Sequence, residues 1–182
     1  MKIVRLELDT NDLPLMQSFY QNRLSLPLMA QSARSVTFRV GWSELVFRQT
    51  DRPMCPYHFA LNVPLYSLEQ YETWYDLPYM DAGAPGRRIA HFPDWNARAT
   101  YFRDPAGNLV EFIERKDAAY ESPAADYFQG ISEVGIVTDS VALMTDYLAG
   151  AFGVGQFAKS QPMRNFNAVG DDYGLFVLVE TG

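Results

Sequence analysis

The sequence predicts an α+β fold built from three copies of one strand–helix–strand unit. Alternating apolar and polar runs begin near Val4, Tyr57 and Ser132, and each leads into a stripe of apolar residues at helical spacing. Short strand candidates joined at tight turns follow each helix. The 182 residues are 48% hydrophobic and 14% aromatic, enough to bury a substantial core.

The first run, in "VRLELDTNDLPLMQSFYQNRLSLPL", sets Val4, Leu6 and Leu8 on one face and Arg5, Glu7 and Asp9 on the other. Leu13, Met16, Phe19, Tyr20 and Leu24 then form a helical stripe that Asn11 or Asp12 can cap. Strands are expected at 35–40 and 44–49, turning at Gly41. The second run alternates Phe59, Leu61 and Val63 with His58, Ala60 and Asn62. Its helix carries Leu68, Tyr71 and Tyr75, and Ser67 with Gln70 matches a capping box. Strands at 99–102 and 108–114 flank "DPAG", with Asp104, Pro105 and Gly107 at the positions a type I turn favours. The third run, "SEVGIV", leads to a stripe of Val141, Met144, Tyr147 and Phe152 that Gly153 and Gly155 terminate. Strands at 165–169 and 174–180 surround "GDDYG". Between the second and third units "KDAAYESPAADYFQG" is polar and carries Pro123, as a linker does.

Charge and cysteine use exclude several function classes. A net charge of -7 without a long basic run argues against nucleic acid and against an anionic membrane as partner. Cys55 is the only cysteine, so no intramolecular disulfide forms and a reducing compartment fits. The opening "MKIVRLELDT" lacks the apolar core of a signal peptide, and no run approaches the about 20 apolar residues of a membrane span. A cytoplasmic protein is expected.

Chemistry concentrates around "YFRDPAGNLVEFIER". Glu111 falls between Leu109 and Ile113 on one face of its strand, which suits a carboxylate aimed into a small-molecule cavity. Trp95, Arg98 and Tyr101 precede it in "WNARATYF", and Arg98 and Tyr101 are candidate substrate-binding residues. "GAPGRR" lacks the Lys-Ser/Thr ending of a phosphate loop, and no nucleophile elbow is present.

A repeated strand–helix–three-strand unit ending in "DPAGNLVE", with "HFALNV" before it, resembles the vicinal oxygen chelate superfamily of glyoxalases, extradiol dioxygenases and bleomycin-resistance proteins. The resemblance implies paired βαβββ units forming a cup-shaped mixed sheet with helices outside. On this reading residues 1–115 form the cup from units 1–55 and 56–115, residues 116–130 link, and 131–182 form a third, partial unit. The resemblance also implies metal ligands on the first and last strands of a unit, here His58 and Glu111, with Glu111 in a catalytic role. His91, the other histidine, is the candidate third ligand, and Fe, Mn, Ni or Zn would suit such a set. Arg5 stands where the first unit would carry a ligand. Being a permanent cation, it would bind a substrate anion or pair with Glu111 instead. The implied function is a glyoxalase- or dioxygenase-like metal-dependent enzyme acting on a small oxygen-rich substrate. The alternative is a metal-free binding protein that sequesters a ligand. An odd number of units leaves the third without a partner, so a homodimer is expected, with packing back onto the cup within one chain as the alternative.

Overall fold

The computed structural model describes residues 1–118 and 127–181. The expected linker at 116–130 falls largely outside the described residues. The first unit comprises β1 (Arg5–Thr10), α1 (Leu13–Ser18), β2 (Leu28–Gln31), β3 (Ser35–Val40) and β4 (Ser43–Gln49). The second comprises β5 (His58–Asn62), α2 (Leu68–Trp74), β6 (Ile89–Phe92), β7 (Ala97–Arg103) and β8 (Leu109–Arg115). The third comprises β9 (Gly130–Thr138), α3 (Val141–Phe152), β10 (Phe166–Asp171) and β11 (Gly174–Glu180). No helix among the described residues is long and apolar enough to cross a membrane.

The pairing of the units differs from expectation. The first unit forms its own four-stranded sheet, β1-β4-β3-β2, whereas the second and third share a seven-stranded sheet, β10-β11-β9-β5-β8-β7-β6. The seam of the shared sheet is an antiparallel pairing of the two first strands, β5 and β9. The cup is therefore made by the second and third units, not by the first and second. This also removes the reason for expecting a dimer, because β11 lies between β9 and β10 and is no bare edge.

Apolar burial explains why the first unit packs elsewhere. Its helix-side residues, among them Met16, Tyr20, Phe38 and Phe47, merge into one core with Phe59, Leu61, Tyr71, Phe102 and Phe112 from the helix side of the second unit. The two units thus stand back to back. Tyr20 fixes the joint: its ring lies 4.8 Å from that of Phe47, and its hydroxyl donates to Asp104 of the second unit at 2.9 Å. Asp104 also opens the expected turn, with the Gly107 N–H donating to its carbonyl at 2.9 Å.

Helix ends follow local chemistry with one exception. Asp12 caps α1 by accepting from the Leu15 N–H, and Ser140 caps α3 by accepting from Leu143. Ser67 makes no such bond. Instead Glu114, reaching from β8, accepts from the Ser67 and Leu68 N–H groups at 2.7 and 3.0 Å. A carboxylate from the sheet replaces the expected capping box, satisfying two buried donors at the positive end of the helix.

Candidate metal centre

Two rows of side chains cross the concave face of the shared sheet. The inner row runs Tyr101, Glu111, Ala60, Glu133 and Leu175 over β7, β8, β5, β9 and β11. The outer row runs Arg103, Leu109 and His58, then Gly135 and Val177. Two small residues shape these rows. Ala60, between the two glutamates, leaves room for their carboxylates to approach. A Cβ on Gly135 would stand 3.0 Å from the His58 Cβ and 3.3 Å from its Nδ1, so the glycine makes space for the imidazole.

The seam contains the irregularity that aims Glu133. Ala60 pairs with Glu133 while the next residue, Leu61, pairs with Ile131, so Ser132 is an extra residue in β9. Such a bulge turns both Ser132 and Glu133 toward the concave side. There Ser132 Oγ accepts from Arg115 Nε at 3.1 Å, and Glu133 pairs with Arg115 Nη2.

His58, Glu111 and Glu133 converge, with one donor atom from each within 4.8 Å of the others. His58 Nε2 lies 3.3 Å from Glu111 Oε2. Glu111 and Glu133 have side-chain exposures of only 3% and 4%, whereas His58, at 24%, meets the open space above them. Burial and the neighbouring charge of Glu111 push the Glu133 carboxyl up to about 7, against the opposing pull of Arg115. For His58, burial disfavours the cation, but the hydrogen bond and charge of Glu111, aided by Glu133, raise its pKa overall. Burial and the same two glutamates hold the Tyr101 hydroxyl protonated well beyond its ordinary range. The cluster is rich in negative charge and short of compensation.

Behind the glutamates the cup is closed. Arg115 is fully buried, and its guanidinium lies 5.6 Å from the Trp95 ring and 6.0 Å from the Phe157 ring. Its Nη1 has no hydrogen-bond partner among the described residues, and Asp172 lies 4.0 Å from it. In front of His58 the cup opens into a cavity of about 700 Å³ between the sheet and residues 50–57, which join the first two units.

Three sequence-derived candidates lie elsewhere. Arg5 pairs with Glu7 and Glu44 on the exposed face of the first unit's sheet, and neither enters the cup nor meets Glu111. Arg98 pairs with Glu69 and with the α2-capping Glu114 on the helix side of the shared sheet. His91 is exposed, stands opposite Arg98 in the register of β6 and β7, and takes no part in the cluster. The reason is strand parity: His91, Arg98 and Glu114 point away from the side that presents His58, Tyr101 and Glu111. Tyr101 does face the site. Glu133 and Arg115 were missed, although each has a signal: an acid in the first strand of the third unit, and a cation in phase with Glu111.

No protein-family model and no curated protein matches the sequence. Solved structures do. A Bacillus subtilis protein whose description suggests a dioxygenase superposes with a TM-score of 0.73 at 16% identity, covering 98% of this chain and 63% of that one. The chain thus spans less than two thirds of that protein's length. A lactoylglutathione lyase from Agrobacterium tumefaciens gives 0.51 at 21% identity, covering 62% of this chain and 92% of its own. A Bacillus anthracis protein whose description suggests the glyoxalase family gives 0.50 at 16% identity, covering 64% and 96%. The chain has the fold of these glyoxalase- and dioxygenase-described structures.

Proposed function

We propose that His58, Glu111 and Glu133 hold one divalent metal ion, and that the protein is a glyoxalase- or dioxygenase-type enzyme acting on a small oxygen-rich substrate in the cavity above them. The observation that carries this reading is the convergence of one imidazole and two buried carboxylates, with the imidazole lining the cavity. Two such carboxylates are costly to bury without cationic compensation, and Arg115 meets only one of them. One nitrogen and two oxygen donors suit manganese, iron, nickel or zinc. A bound ion supplies Lewis acidity, polarising a substrate carbonyl or stabilising an enediolate. The chain's own residues do the rest. Arg115 and Ser132 fix the Glu133 carboxylate, Tyr101 donates toward Glu111, and Trp95 with Phe157 close the inner end to water.

A metal-free binding protein is the second reading, and one observation favours it. The registers that set Glu111 opposite Ala60 set Val177 opposite Gly135, so an apolar residue stands where a fourth ligand would fall by the repeat symmetry. Metal analysis of protein purified without chelator or affinity tag tests the choice. The enzyme reading expects one manganese, iron, nickel or zinc ion per chain. No ion after each has been supplied would leave the binding protein.

A further inference from the structure

The cavity in front of His58 has a chemical character of its own. Met54, Tyr57, Leu109, Val137, Val177 and Val179 give it apolar walls. Val137 and Val179 remain 65% and 36% exposed, so the cup presents apolar surface that the chain itself does not cover. The charged residues of the lining are Arg52, Arg103 and Asp9, besides His58 at the floor.

The two arginines differ from most others in the chain. Arg5, Arg23, Arg39, Arg48, Arg98 and Arg115 each meet a carboxylate. Arg103 donates from Nη1 only to the Gly107 carbonyl, and among the described residues neither Arg103 nor Arg52 is paired with an acid. In a chain of net charge -7, two unneutralised guanidinium groups on one apolar cavity form a local reversal of sign. Set against Asp9, they leave one net positive charge at the rim. That balance fits a monoanion.

The register gives a length as well. Arg103 pairs with Leu109, and Leu109 with His58, so Arg103 and His58 lie in one row two strands apart. At a strand spacing of about 4.8 Å their Cα atoms are about 10 Å apart. We infer that the cavity takes a monoanionic ligand with an apolar body about the size of one ring, its carboxylate-like group held by Arg103 and Arg52 and its other end turned toward His58. This inference rests on the cavity being the substrate site proposed above, but needs no metal in it. Guanidinium groups suit the role because they bind planar oxyanions through paired N–H donors.

Cys55, exposed on the same lining and the chain's only cysteine, provides a local reporter. Its rate of reaction with a thiol reagent would be followed with EDTA present. Phenylacetate, 3-phenylpropionate and 4-phenylbutyrate would be compared with their neutral amides, and binding measured in parallel by calorimetry. The expected result is that at least one acid slows labelling and binds at least about tenfold more tightly than its amide, in line with charge-assisted pairing. Arg52→Gln and Arg103→Gln together should remove that preference while leaving amide binding unchanged. If no acid outperforms its amide, or the preference survives both substitutions, the inference is overturned. Because the assay excludes metal, that result leaves the metal reading to its own test.

Discussion

The first unit's sheet and the shared sheet of the second and third units have the same strand order around their first and last strands, yet opposite characters on their open faces. On the first, Arg5, Glu7, Arg39, Glu44 and Arg48 form a continuous exposed network of ion pairs. Their aliphatic stems help cover Val46, which is buried in the middle of that face. At the centre of the second, the charges are few, buried and unequal: two glutamates and one arginine, with His58 and the exposed Arg103 toward the cavity. A charge network that water can reach lets a face stand without chemistry. A buried and unbalanced one creates demand for a cation or a proton. One architecture has been made inert in one place and reactive in another by side chains alone.

That contrast is sharpest in the two arginines, Arg5 and Arg115. Arg115→Met should destabilise the protein by about 3–5 kcal/mol, because it strands the Glu133 carboxylate in the interior. Chemical denaturation measures this, and a loss below about 1 kcal/mol would mean that Glu133 finds another partner. Added divalent metal should restore part of the lost stability, since the ion supplies the missing positive charge.

A smaller effect is expected where the cup was given space. Gly135→Val should lower metal affinity by about 10–100-fold, the range seen when the support of a ligand is disturbed. The new side chain would push the His58 ring from its place while the fold is kept. Unchanged affinity with an intact circular dichroism spectrum would show that His58 is not a ligand.

Acidity should separate the two faces as well. Glu133 titrates near 7 in the folded chain against an ordinary value of 4.5, so folding favours its protonated form. Its contribution to stability is fully present below about pH 4.5 and is lost as the pH rises through about 7. Metal coordination needs the carboxylate, so release of its one proton should make affinity rise by up to about tenfold per pH unit below about 7 and then flatten. Titration calorimetry across pH 5.5–8 checks this (approximately that window follows from the Glu133 value). A flat profile would remove Glu133 from the site. The smallest effect belongs to the first unit: Arg5→Gln should change neither metal affinity nor the pH profile, because its ion pairs are exposed and lie outside the cup.

Much of this organisation was legible in the sequence. The three units, their helices and the Asp104 turn follow from periodicity and turn chemistry, and the parity of Glu111 with Leu109 and Ile113 places it correctly on the concave face. The choice of partner was not legible. A first strand such as β5 has the same alternating pattern whichever unit it meets, and the shared core of Tyr20, Phe102 and Phe112 becomes visible only in three dimensions. Glu133 was hidden for a related reason, since its orientation depends on the extra residue Ser132, which shifts the two-residue alternation. Arg98 and His91 were misplaced because nearness in sequence to Glu111 says nothing about which side of a sheet a residue faces.

The central claim is that the site spans the seam between the second and third units, and Glu133→Gln tests it most directly. Glutamine keeps the shape and removes the charge. Metal stoichiometry, measured by elemental analysis after equilibration with manganese or zinc, should be one ion per chain in the unaltered protein. It should fall to near zero in Glu133→Gln, as in His58→Ala and Glu111→Ala. Full occupancy in Glu133→Gln, with loss in the other two, would confine the site to the second unit and contradict the account.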